Sequence, residues 1–231
     1  MTVQPEVCGG VWIVIAAYNE GAVIGDVVRP LVDSGYDVVV VDDGSRDATA
    51  ARAREAGAAV LRHALNRGQG AALQSGLTYA LNRGAQVVVT FDADGQHSAS
   101  DVPRLVRPVA EGRADVVLGS RFLEHAAGVP VARRTLLRLA VVFTGVMSGI
   151  RLTDAHNGLR ALSRRAAQQL DLQLDRMAHA SEIVDQIVRT GLPILEVPVE
   201  VRYTPYSLGK GQRAGAAARI AWDYLLNKLF S

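Results

Sequence analysis

Val87-Val88-Val89-Thr90-Phe91-Asp92-Ala93-Asp94-Gly95-Gln96-His97 decides how the chain is read. The apolar, β-branched run predicts a buried strand. It ends in two carboxylates one residue apart, followed by a glycine and two polar side chains. Residues i and i+2 of a strand share a side, so Asp92 and Asp94 converge at the strand's carboxyl end. Open α/β sheets place their ligands at that end. Two carboxylates and the Gln96 amide make an all-oxygen set suited to Mg²⁺ or Mn²⁺, with substrate phosphates completing the shell. An Asp-rich turn after a strand is the competing reading.

Upstream, the same pattern recurs. Residues 11–16 read as a first strand ending in Ala17-Tyr18-Asn19-Glu20, and 21–32 as a helix with Val23, Ile24, Val27, Val28 and Leu31 on one face. Four valines at 38–41 read as a buried strand ending in Asp42-Asp43-Gly44-Ser45, with Ser45 or Asp47 capping the next helix. A short strand at 58–61 precedes Asn66-Arg67-Gly68-Gln69-Gly70, a glycine-bearing loop that opens a helix over 71–82. Downstream, 100–111 reads as a helix with Ser98 or Ser100 near its cap, and 116–119 as a strand leading to Ser120-Arg121-Phe122. Residues 153–161 read as a polar insert, 164–170 and 181–190 as helices, 194–203 as a strand and 214–230 as an amphipathic helix. Strands alternating with helices predict an α/β domain with a mainly parallel sheet. Right-handed crossovers then bring the loops at 18–20, 42–43 and 92–94 to one edge, as a nucleotide and metal site.

Composition narrows the class. A chain of 231 residues, 49% apolar and 21% charged, has room for one large domain or one domain with a small appendage, and its composition argues against disorder. A net charge of +2 gives no global case for nucleic acid as a partner. The single cysteine, Cys8, excludes an intrachain disulfide. No stretch has the length and apolarity of a spanning helix or the layout of a signal peptide. The nearest approach is the apolar segment 139–150, preceded by Arg133, Arg134 and Arg138; with 217–230 it suits a surface helix on anionic lipid or a core-facing helix. The Lys-Ser/Thr pair of a P-loop and the dinucleotide glycine cluster are both missing. The five histidines, His63, His97, His125, His156 and His179, are scattered and read as surface or loop residues.

Six motifs appear in order: Ala16-Ala17-Tyr18-Asn19-Glu20; Val41-Asp42-Asp43-Gly44-Ser45 with Asp47-x-Thr49; Asn66-x-Gly68-x-Gly70-Ala71-Ala72-Leu73; Asp92-Ala93-Asp94-Gly95-Gln96-His97; Gly119-Ser120-Arg121-Phe122; and Thr153-Asp154-x-x-x-Gly158-x-Arg160-Ala161. Together they resemble the family 2 glycosyltransferases, and within them the dolichol-phosphate mannosyltransferase and polyprenyl-phosphate branch. The resemblance implies a GT-A (Rossmann-like) fold in one domain over 1–231, with a nucleotide-sugar half over about 11–96, an acceptor half over about 97–213 and the helix at 214–231.

It further implies inverting transfer from a UDP- or GDP-linked sugar to a polyprenyl phosphate, giving a β-linked lipid phosphosugar. Ala16, Tyr18, Glu20, Val41, Asp43 and Ala93 would line the nucleotide-sugar pocket, with Asp43 bonding the base. Asp92, Asp94 and Gln96 would hold Mg²⁺ or Mn²⁺. Arg121 with Arg133 or Arg134 would grip the acceptor phosphate, and Arg202 and Lys210 would neutralise donor phosphates. Peripheral attachment at the cytoplasmic face, with help from a small membrane partner protein, follows as an expectation. A phosphate nucleophile needs no general base; Asp154 would be the base for another acceptor, or a structural carboxylate pairing with Arg160. Three departures stand out: Ala16 where proline is usual, Gln69 where lysine is common, and a longer stretch between Arg202 and Lys210. A glycosyltransferase with a soluble or protein acceptor, a nucleotidyltransferase and a non-catalytic nucleotide-binding module are the alternatives.

Overall fold

The computed structural model describes residues 9–123, 152–154, 157–172, 178–202 and Tyr206. The first half alternates without exception: β1 (Val11–Ala17), α1 (Ile24–Asp33), β2 (Asp37–Asp42), α2 (Thr49–Glu55), β3 (Ala59–Arg62), α3 (Gln69–Asn82) and β4 (Val87–Asp92). A 3₁₀ turn at Ala99–Asp101 leads into α4 (Val102–Ala110), followed by β5 (Val116–Ser120), β6 (Arg160–Ser163), α5 (Arg164–Ala167), α6 (Ala178–Arg189) and β7 (Ile194–Pro198).

The strands form one seven-stranded sheet in the order β3-β2-β1-β4-β6-β5-β7. All pair in parallel except β6, which runs antiparallel to β4 and β5. The two faces of the sheet follow from strand alternation. Ile13, Ile15, Val38, Val40, Val87, Val89 and Phe91 join one buried cluster with Val27 and Leu31 of α1, Ala53 of α2 and Leu105 of α4. Val14, Val39 and Val88 join the other with Leu73 and Leu77 of α3 and Ile183 and Ile187 of α6. The second face depends on a close approach. A side-chain carbon at Gly76 would lie 2.3 Å from Val14 Cγ1, so any larger residue would lift α3 off β1.

Strand order reverses between β1 and β4, which makes their carboxyl ends a topological switch point. In register, Ala16 pairs with Val41 on one side and Asp92 on the other. One row across three strands therefore carries three of the residues singled out in the sequence.

Several boundaries differ from expectation. The insert expected over 153–161 gives way at Arg160 to β6, whose four residues are too short to show alternation. The last strand ends at Pro198, not 203. The helix expected over 164–170 is the single turn α5. At α2 the cap position is Ala48; Ser45 serves the neighbouring loop, and Asp47 serves that loop through Gly21 N–H and the first N–H of the helix at Thr49. Arg133, Arg134, Arg138, Lys210 and the two membrane-surface segments lie outside the described residues.

Candidate active site at the switch point

The loop after β1 is bolted to the loop after β2. Asn19 N–H donates to Ser45 Oγ at 2.9 Å, Glu20 N–H to Thr49 Oγ1 at 2.9 Å and Gly21 N–H to Asp47 Oδ2 at 2.9 Å, while Arg46 N–H returns a bond to Asn19 Oδ1. Asn19 takes a positive φ of 54°, which asparagine tolerates better than most residues. Tyr18 is left 44% exposed at the edge, an aromatic face open to a ligand. Val41 and Ala93 are buried, so they shape the edge from below.

Asp43 follows β2 and is tied to the first loop through its N–H to Ala17 O at 2.9 Å. Its carboxylate accepts from Arg67 N–H, Gly68 N–H and the His63 ring. The glycine-bearing loop therefore turns its amides to an anion supplied by the chain itself, at the entrance to α3.

At the end of β4, Asp92 Oδ2 receives His97 Nε2 at 3.0 Å. His97 is nearly buried and meets Phe91 edge to face. His63 and His97 do lie in loops, but the expectation of surface residues is corrected: their side chains are largely covered and hold the carboxylates of Asp43 and Asp92. Asp94 Oδ1 accepts from Gln96 N–H at 3.0 Å, a tight turn that aims the two carboxylates together. Burial first, and then the charges of Asp92 and Glu20, push the Asp94 carboxyl above its ordinary range. Excess negative charge on oxygen-only groups is what a hard divalent cation relieves. Among the described residues no three His, Cys, Asp or Glu side chains form a metal cage. The chain thus supplies two carboxylates, a set that suits Mg²⁺ or Mn²⁺ sharing its shell with substrate phosphates.

The second half closes on this edge through residues of the last motif. Arg160 on β6 pairs in register with Thr90 and Leu118 and is 3% exposed. Desolvation pulls its guanidinium down, while Asp92 and Asp154 on either side hold the charge in place. Gly158 lies directly on Asp92: a side-chain carbon there would sit 2.2 Å from both carboxylate oxygens. Thr90 Oγ1 donates to Gly158 O at 2.6 Å and fixes that approach.

Asp154 is buried and binds Arg121 at both its Nε (2.6 Å) and its N–H (3.2 Å). Its structural partner is thus Arg121, with Arg160 adding charge nearby, and it does not stand open as a base. Glu196 of β7 takes the N–H groups of Thr153 and Asp154 and fastens that segment to the sheet. Arg202 arrives from β7, its N–H bonded to Gln96 O at 2.8 Å beside the His97–Val201 bridge. Its side chain sits on Glu200 in solvent. Tyr206 reaches across to the first loop and donates to Glu20 Oε2 at 2.7 Å. Tyr206 and His63 carried no local signal; Gly158 and His97 stood in the ordered motifs, without a role assigned to either.

A sheet switch point carrying paired carboxylates and a carboxylate-tethered arginine is the candidate active site of a transferase. The model of glycosyl transferase family 2 matches residues 12–171, and the chain belongs to that family. It is therefore a glycosyltransferase. It is 31% identical over 241 residues to the UDP-N-acetylglucosamine–dolichyl-phosphate N-acetylglucosaminyltransferase of Methanococcus voltae, covering 95% of this chain and 96% of that one. It is 31% identical over 214 residues to the undecaprenyl-phosphate mannosyltransferase of Micrococcus luteus, covering 87% and 86%. Among solved structures it is similar to glucosyl-3-phosphoglycerate synthase from Mycobacterium tuberculosis in complex with Mn²⁺, UDP and glucosyl-3-phosphoglycerate, with a TM-score of 0.68 and 26% identity over 96% of this chain and 81% of that one.

Proposed function

We propose that this glycosyltransferase moves a sugar from a nucleotide-diphosphate sugar to a polyprenyl phosphate, with inversion, leaving a β-linked lipid phosphosugar. The observation that carries the reading is the buried Arg160, whose charge interacts both with Asp92 of the carboxylate pair and with Asp154, the carboxylate that tethers Arg121 at 2.6 Å. Residues 11–96 would form the nucleotide-sugar half and 97–213 the acceptor half. Mg²⁺ or Mn²⁺ held by Asp92, Asp94 and Gln96 would supply charge neutralisation at the donor diphosphate. Tyr18 and Glu20 orient the nucleotide; Arg202 and Lys210 add positive charge to its phosphates. Arg121, with Arg133 or Arg134, orients the acceptor phosphate, which is already ionised near neutral pH. The burial of Asp154 fits a reaction that needs no general base.

Among the described residues no helix is long and apolar enough to cross a membrane. Peripheral attachment at the cytoplasmic face through 133–150 and 217–230 suits a lipid acceptor. Flotation of the purified chain on anionic vesicles tests this without any partner protein; recovery only in the soluble fraction counts against unaided attachment.

A second reading, transfer to a small phosphorylated acid, draws on the glucosyl-3-phosphoglycerate synthase likeness. A panel of sugar nucleotides against undecaprenyl phosphate and 3-phosphoglycerate, with Mn²⁺ and mass spectrometry of both phases, separates the two. Product only in the lipid phase is expected, and Asp94→Ala should lower it about a thousandfold. Product only in the aqueous phase overturns the lipid acceptor.

A further inference from the structure

Asp43 is bound by three hydrogen-bond donors of its own chain. His63 Nδ1 reaches Oδ1 at 2.7 Å, Arg67 N–H reaches Oδ1 at 2.9 Å and Gly68 N–H reaches Oδ2 at 2.8 Å. Behind His63, its Nε2 meets Ser75 Oγ of α3 at 2.9 Å. A carboxylate only accepts, so Nδ1 carries the proton in this bond; in the neutral ring Nε2 then accepts from the Ser75 hydroxyl. An ionised carboxylate has about four acceptor positions, two on each oxygen. On Oδ1 both are taken. On Oδ2 one is taken, and the other meets no donor among the described residues. The side chains of Asp43 and His63 are 4% and 11% exposed, so water cannot freely redistribute these bonds.

We propose that Asp43, held by His63 and Ser75, selects a uracil-type base bearing one N–H donor over guanine. The inference rests on the reading of this edge as the nucleotide-sugar pocket. Guanine presents N1–H and N2–H side by side, a pair that matches the two oxygens of an open carboxylate. Here Oδ1 is full, and one of guanine's donors would be buried without an acceptor. Uracil presents a single N–H between two carbonyl groups and needs only the remaining position on Oδ2. His63 acts as a positioning residue: it closes Oδ1 and fixes the carboxylate plane without touching the base.

Isothermal titration of the full chain with UDP and with GDP, each with MnCl₂, tests this. UDP should bind at least about tenfold tighter than GDP. His63→Phe opens a position on Oδ1, and the UDP:GDP ratio should fall to within about threefold. His63→Asn keeps an N–H near the Nδ1 position and should retain the ratio. Because each ratio is taken on one preparation, partial unfolding moves both affinities together. GDP binding as tightly as UDP to the unaltered chain overturns the base selection while leaving the nucleotide pocket standing. Failure of both nucleotides to bind overturns the pocket reading and the inference with it. An unchanged ratio in His63→Phe removes His63 from the selection.

Discussion

The loops after β1 and β2 and the segments around β5 and β6 build opposite walls of the same edge, with different chemistry. The first wall is held by short side chains on backbone amides: Ser45, Asp47 and Thr49 each take one N–H from residues 19–21. The second wall is held by long ions: Arg121 on Asp154, Glu196 on residues 153–154 and a buried Arg160 between Asp92 and Asp154. Neutral amide bonds to short side chains lose little entropy and fix a loop tightly, as a pocket for a nucleotide requires. Buried ions are costly to desolvate and hold only while every partner is present. The nucleotide wall should therefore fail by degrees and the second wall all at once.

The largest test of that contrast is Arg160→Met. It leaves the buried Asp154 and the partly exposed Asp92 without the cation they share and should cost about 3 kcal/mol in chemical denaturation. Restoring most of that loss by adding Asp154→Asn would mark it as uncompensated charge; no recovery would point to lost packing.

Gly158→Ala comes next. Its new carbon meets the tip of a side chain, so the fold can yield by moving the Asp92 carboxylate. Activity should fall about a hundredfold, while the melting temperature moves little. Equal loss of both would show that the backbone gave way instead.

Asp47→Ala should be milder, about 1–2 kcal/mol, although it removes bonds to Gly21 N–H, Thr49 N–H and the Thr49 hydroxyl. Its main effect should be a higher KM for the sugar nucleotide. A cost matching that of Arg160→Met would erase the distinction between the walls.

The smallest effect concerns Asp115, where β5 and β6 meet. The bonds from Arg165, with a further bond from Ser163, hold its carboxyl below the ordinary range. A lowered folded value adds stability above the unfolded carboxylate range near pH 4, and that stability is lost as pH falls through the folded value. Asp115→Asn should cost less than about 1 kcal/mol at pH 7, because Arg165 is largely exposed, and the difference should vanish toward about pH 2.

The sequence by itself determined the first wall. Each strand there is a run of β-branched residues, each polar loop follows directly, and parallel α/β topology leaves one edge for them all. The placement of Asp92, Asp94, Asp43 and Tyr18 at one sheet edge was legible because each lies at or directly after a strand end. Tertiary structure alone decided the second wall. Four-residue β6 has no readable period, and Arg160, read from the sequence only as a possible partner of Asp154, shows its burial and its interaction with Asp92 only in the fold. Gly158 matters only because β4 brings a carboxylate against its Cα. His63 and His97 passed for surface or loop residues because burial is a property of what packs over a side chain: Asp43 and Ser75 of α3 against His63, and the end of β4 folding back on His97. Periodicity and turn chemistry are local and can be read along the chain; desolvated charge depends on pairs far apart in sequence, and only the fold brings them together.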